Sequence, residues 1–170
     1  MKRKIHHTNK PLWVIRAGLR SAAHDLFIDH GLVVLMKQEM EDLRRLPKDR
    51  QAFYAAYHSK HAGEGRTAIS GIGGKFFRFI HEVQVGDYVL YPCRLDKMVH
   101  FGVVAGRYFY EASRGDFPHS RKVDWIASFP KKTLSLYSKR ELNTARTFFC
   151  FKKNADEIHR RIAAIKKHRK

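Results

Sequence analysis

Apolar positions fall into short blocks separated by polar punctuation, with few long amphipathic stripes. Leu12-Trp13-Val14-Ile15 is a run of β-formers and predicts a buried strand, closed by Arg16-Ala17-Gly18. Residues 21–29 have helical spacing, with Ala22, Ala23 and Leu26 inward, and His30-Gly31 stops that helix. Residues 32–36 predict a second buried strand. From 39 to 58 the pattern is helical with a break at Pro47; Asp49 is placed to cap a second helix with Phe53, Ala56 and Tyr57 inside.

Residues 59–74, rich in glycine and polar side chains, predict a surface loop, and 75–80 a short helix. Gly86-Asp87 reads as a turn into a strand that ends near Tyr91. Residues 99–110, with Gly102 and Gly106, predict one curved strand. A polar loop with Gly115 and Pro118 leads to a strand over 122–129. Residues 142–152 fit a strand or a short helix, and Asn154 is placed to cap a basic helix that runs to Lys170. Short strands outnumber helices in the second half. The expected fold class is α+β, a small curved β-barrel flanked by helices. The expected division is a basic arm at 1–11, a domain at 12–153, and a basic helix or linker at 154–170.

Charge sharpens this picture. The chain of 170 residues has 34 Lys and Arg against 16 Asp and Glu, a net charge of +18. That excess favours polyanionic partners, nucleic acid above all. No run of 18 apolar residues occurs, so a membrane partner is not expected. The basic residues are scattered, unlike those of a membrane-surface helix. Cys93 and Cys150 are the only cysteines, too few for a disulfide scaffold and without metal spacing. A cytoplasmic, nucleoid-associated location is expected.

Several blocks together carry a family likeness. Trp13-Val14-Ile15-Arg16-Ala17-Gly18 resembles the opening of the N-terminal domain in Mrr-like type IV restriction proteins. Residues 79–89 followed by Tyr91-Pro92, then 99–110 and Lys122-Val123-Asp124-Trp125-Ile126, continue the likeness in order. The last block also resembles a strand of YTH domains, which read methylated adenine in RNA. EVE domains share this PUA-like architecture. The resemblance spans roughly residues 12–150. It implies a PUA-like (EVE/YTH-like) reader of modified, methylated or hydroxymethylated DNA bases, the specificity module of a modification-dependent restriction system. It also implies partners: double-stranded DNA with modified bases, and a nuclease domain or subunit. No nuclease segment follows residue 153 here, so the chain reads as a free-standing reader or the reader half of a longer enzyme. An RNA-binding module is the alternative, and a nuclease with an unrecognised active site a third.

The resemblance implies a pocket at the barrel mouth for one flipped base. Unstacking costs a few kcal/mol. Stacking on an aromatic face returns about 1–3 kcal/mol per base, and a buried methyl adds about 0.8 kcal/mol. Phosphate contacts must therefore supply most of the affinity. YTH domains carry a cage tryptophan after the glycine that follows the first helix. Residues 31–36 hold no aromatic here, so the cage is built elsewhere or Met36 supplies a soft wall.

Trp13 is a candidate pocket floor or core residue. Tyr91 is a candidate for the mouth, and Arg16 for a base edge or phosphate. In the YTH pattern the loop after residue 110 brings a cage aromatic, which nominates Tyr108, Tyr110, Phe117 and His119. Trp125 matches a buried strand and is expected in the core. Candidate phosphate ligands are Lys75 and Arg78 beside Gly71-Ile72-Gly73-Gly74, Arg114, Arg121 and Lys122 around the recognition loop, and Lys131 and Lys132. Gly74-Lys75-Phe76 lacks the Ser or Thr of a P-loop. No acidic cluster of the nuclease kind and no zinc motif is evident, so no catalytic residue, metal or cofactor is expected.

Overall fold

The computed structural model describes residues 10–168. Most of the basic arm expected at residues 1–11 therefore lies outside the described residues, as do residues 169–170.

The strands are β1 (Leu12–Ile15), β2 (Leu32–Leu35), β3 (Tyr88–Pro92), β4 (Met98–Val104), β5 (Phe109–Tyr110), β6 (His119–Pro130) and β7 (Phe148–Cys150). The α-helices are α1 (His24–Ile28), α2 (Arg50–Lys60), α3 (Arg66–Phe77), α4 (Leu136–Leu142) and α5 (Ala155–His168). The strands form one mixed sheet in the order β2-β6-β4-β3-β1-β7, with β5 beside β6. β1 and β3 run parallel; every other pair is antiparallel. The first part of β6 pairs with β2, and the remainder pairs with β4 across a register shift at Phe101 and Gly102. One long strand thus serves two neighbours, and the sheet curls into a half-barrel. The protein is an α+β fold, as the block pattern predicts.

Alternation along β1 and β3 feeds two cores. Trp13, Ile15, Val89 and Tyr91 face Phe27, Phe53, Tyr57 and Phe76 of α1, α2 and α3. Leu12, Val14, Tyr88 and Leu90 face Leu142 of α4 and Ile158 and Ile162 of α5. The central strands are covered on both sides, which is why β1 is an unbroken apolar run. The terminal basic helix is part of this core, since Ile158 and Ile162 are buried.

Several expected elements differ. The loop predicted at 59–74 is largely helix α3, which continues through the residues read as a separate helix at 75–80 and ends in a π-turn at Arg78–Glu82. Glycine suggested a loop, at about 1 kcal/mol each in a helix. Packing overrides that cost: a Cβ on Gly73 would sit 2.8 Å from the Tyr54 ring and 3.1 Å from Phe53 O, so these glycines let α3 lie against α2. The helix expected from residue 39 is absent. Gln38 and Glu39 are left-handed, and only a 3-10 turn forms at Leu43–Arg45. The helix expected from residue 21 starts later, because Arg20 and Ser21 are left-handed too. The strand expected over 99–110 breaks after Val104, and the one expected at 122 begins at His119. Residues 142–152 divide between the end of α4, which the pattern did not announce, and β7. Asp49 caps α2 as expected, accepting from Ala52 N at 3.1 Å. Asn154 precedes α5, but its amide donates to Glu141 Oε2 at 2.8 Å.

Candidate nucleic-acid interface

A cup of about 400 Å³ opens where β1, β2 and β3 end. Its apolar walls are Val34, Leu35 and Met36 after β2, Tyr91 and Pro92 of β3, and Phe117 from the loop before β6. Its cations are Arg16, Arg20, Lys75 and Arg94, and none of the described lining residues is acidic. In a chain with 16 carboxylates, that exclusion gives the cup an uncompensated positive potential.

Each wall is held by its own local chemistry. Gly18, with φ of 76°, turns the chain out of β1, and a Cβ there would lie 3.1 Å from the Phe117 ring. Glycine at this position is what seats Phe117. Tyr91, expected at the mouth, is buried: it packs edge-on to Phe27 with centroids 4.9 Å apart, its hydroxyl lies 3.0 Å from His24 Nδ1, and it backs the cup without offering a face to a base. Lys75 Nζ donates to Gln38 Oε1. Burial, aided by the neighbouring Arg78 charge, pulls the Lys75 ammonium down to about 8. Arg16 donates from Nη2 to Leu142 O (2.6 Å) and Thr144 O (2.7 Å), and from Nε to Arg146 O (3.1 Å). It therefore ties β1 to the end of α4, where a cation suits the helix dipole. Lys131 donates to Asn143 Oδ1. Burial first, and then Arg16 and Arg94, depress its pKa, so this cation sits close to the same rim.

The cup brings together Arg16, Met36, Lys75, Tyr91 and Phe117 of the expected residues, with Lys131 beside them. The others lie elsewhere. Trp13 is buried, stacks on Phe148 at 5.2 Å and donates from Nε1 to Asp87 Oδ2 at 2.9 Å; it is core, not pocket floor. His119 is fully buried and bridges Tyr108 and Met40, so it cannot meet a base. Tyr108 is buried and accepts from Leu43 N at 3.2 Å. Tyr110 donates to Glu41 Oε2 at 3.0 Å, away from the cup. Trp125 donates to Phe27 O and stacks on the Phe27 ring.

The basic residues divide in the same way. Arg121 is buried, not a phosphate ligand: Nε donates to Phe79 O (2.8 Å), Nη2 to Ile80 O (3.0 Å) and Nη1 to Gly106 O (3.2 Å). Arg114 donates to Ser120 Oγ at 3.0 Å and lies over the Phe109 ring. Arg78 is half-buried against Tyr54 and Gly74, outside the cup. Lys122 and Lys132 are exposed and do not line it. A second, more open hollow of about 660 Å³ lies beside Arg44, Arg107 and Tyr108.

Sequence reasoning missed Gly18, Arg20, Gln38, Arg94 and the loop Asn143-Thr144-Ala145, all of which line the cup. Arg94 had a local signal, two residues after Pro92 of the family-like block. The 143–145 loop had none: only the pairing of β1 with β7 carries it there.

Fold and site together define a mixed α+β domain whose half-barrel opens onto a cationic, partly aromatic cup. The chain belongs to the family described as domain of unknown function (DUF8426), whose model matches residues 13–152. No curated protein and no solved structure matches it.

Proposed function

We propose that this is a PUA-like reader of modified DNA, in which the cup takes one base swung out of the duplex while rim cations hold the flanking phosphates. The observation that carries the reading is the acid-free cup, with Phe117 and Met36 as walls over a floor backed by buried Tyr91, and Arg16, Arg20, Lys75 and Arg94 around them. About 400 Å³ is within the range of small-ligand sites. Aromatic and thioether surfaces suit the face of a base. The cations suit its phosphates. No helix among the described residues is long and apolar enough to cross a membrane, and nothing in the cup calls for a lipid. In this role the domain selects marked DNA, and cleavage belongs to a nuclease domain or subunit.

The test is binding to duplexes of one sequence that carry methylcytosine, hydroxymethylcytosine, methyladenine or no mark, with RNA of that sequence as a fifth ligand. One marked duplex is expected to bind about tenfold more tightly than the plain one, corresponding to about 1.4 kcal/mol. Phe117→Ala should remove most of that preference, and Tyr110→Ala, outside the cup, should leave it intact. Equal affinity for all duplexes, or a preference for RNA, would overturn the proposal.

A further inference from the structure

The hairpin that joins β3 to β4 gathers three donor groups beside Tyr91, whose ring stacks on His100 at 5.6 Å. Cys93 N donates to Met98 O at 2.9 Å and closes the turn. Lys97 takes the left-handed conformation at its tip. Asp96 Oδ1 accepts from Met98 N at 2.8 Å, which aims the carboxylate back over the hairpin. Asp96 Oδ2 lies 2.7 Å from His100 Nε2. The donor atoms of Cys93, Asp96 and His100 all lie within 4.8 Å of one another. From the opposite side, α1 brings His24 Nδ1 to 3.7 Å from Cys93 Sγ. Cys93 is buried, His24 and His100 are half-buried, and Asp96 is exposed.

We infer that Cys93, Asp96 and His100, with His24 opposite, form a binding site for one zinc ion. Sulfur, imidazole and carboxylate are the three donor types zinc accepts. With Zn–S near 2.3 Å and Zn–N near 2.05 Å, a tetrahedral ion separates those two ligands by about 3.6 Å. The His24–Cys93 pair, at 3.7 Å, already stands at that separation. Cys93, Asp96 and His100 already hold their donor atoms within 4.8 Å of one another, and the Asp96–His100 pair at 2.7 Å would open to about 3.4 Å around the ion, a movement open to the exposed Asp96 side chain. A thiolate and a carboxylate together balance the ion's two charges, in a chain otherwise strongly cationic. Three ligands come from one hairpin at the spacing Cys-x-x-Asp-x-x-x-His, and the fourth from a helix across the core. Such an ion would pin α1 to the β3–β4 hairpin. His24 Nδ1 would exchange the Tyr91 hydroxyl for the metal. The inference does not rest on the base-reading proposal.

Cobalt titration of the full chain tests it, because cobalt(II) reports its ligands by colour. One equivalent is expected, with the intense visible bands of a tetrahedral site and a thiolate-to-cobalt charge-transfer band, both erased by added zinc. Cys93→Ser should abolish the charge-transfer band, and Cys150→Ser should leave it. A titration without that band, or one in which Cys150 and not Cys93 is needed, would overturn the inference. Asp96→Ala, at an exposed position, covers the case in which Cys93→Ser fails to fold. It should weaken zinc binding by more than about tenfold, and undiminished affinity would equally overturn the site.

Discussion

His119 shows how one buried side chain orders its surroundings. Leu43 N–H donates to the Tyr108 oxygen, which puts the Tyr108 hydroxyl hydrogen on His119 Nδ1 and leaves Nε2–H for Met40 O. The chain of bonds is complete only with a neutral imidazole. Burial accordingly drives its pKa down to about 4, against partial support from the Met40 carbonyl. The unfolded chain takes up this proton near pH 6.5 and the folded chain only near 4, so stability should fall as pH drops through that window. The loss is on the order of 3 kcal/mol, readable as a lower urea midpoint at pH 4.5 than at pH 7. A pH-independent midpoint would contradict it. Lys75 gives a second residue-scale expectation. Its charge disappears as pH rises through about 8, so affinity for DNA should weaken between pH 7 and 9. In Lys75→Met, which lacks the charge throughout, that weakening should shrink. Arg121 gives a third. Its fork binds three carbonyls at once, so Arg121→Lys should cost about 2–4 kcal/mol in chemical denaturation, with little effect on DNA affinity.

At the scale of elements, the clearest signals in the sequence were periodic apolar runs with a local stop. β1, β2 and α2 lie where their runs place them, because burial on one or both faces writes itself directly into residue type. The elements that were misread depend on distant partners. Helix α3 carries two glycines, Gly73 and Gly74, that make sense only against Tyr54 of α2. The split of 98–110 into β4 and β5 depends on β6 changing neighbours. Gly102 marks that change: a Cβ there would lie 2.6 Å from Val123 Cγ1 and 2.8 Å from Asp124 O. Gly102→Ala should therefore distort the bulge and lower the thermal midpoint, whereas Gly71→Ala, which meets nothing within 4 Å, should raise helix propensity at no packing cost. Equal midpoints for the two variants would contradict this account. The candidate site was legible in part for the same reason. Arg16, Met36, Tyr91 and Phe117 lie at strand ends or beside turns that the pattern marks, whereas Lys75, nominated beside an expected glycine loop, reaches the cup from within helix α3. Tyr108 and His119 have the right residue types but their partners, Leu43 and Met40, lie more than 60 residues away in sequence.

Across the whole molecule, charge and shape converge on the cup. A net charge of +18 spread evenly would give weak, diffuse attraction; four cations around one acid-free opening give a directed one. If Arg20, Lys75 and Arg94 each displace a counterion, Arg16 being committed to three carbonyls, the logarithm of affinity should fall against the logarithm of salt with a slope of about −3. A flat response would remove the phosphate contacts from the account. The most direct measurement is a crystal structure of the chain with its preferred marked duplex. The account predicts the marked base out of the helix and against Phe117 and Met36, with Arg20 and Arg94 on the adjoining phosphates. A duplex with every base still stacked, or a base lodged elsewhere on the protein, would contradict it.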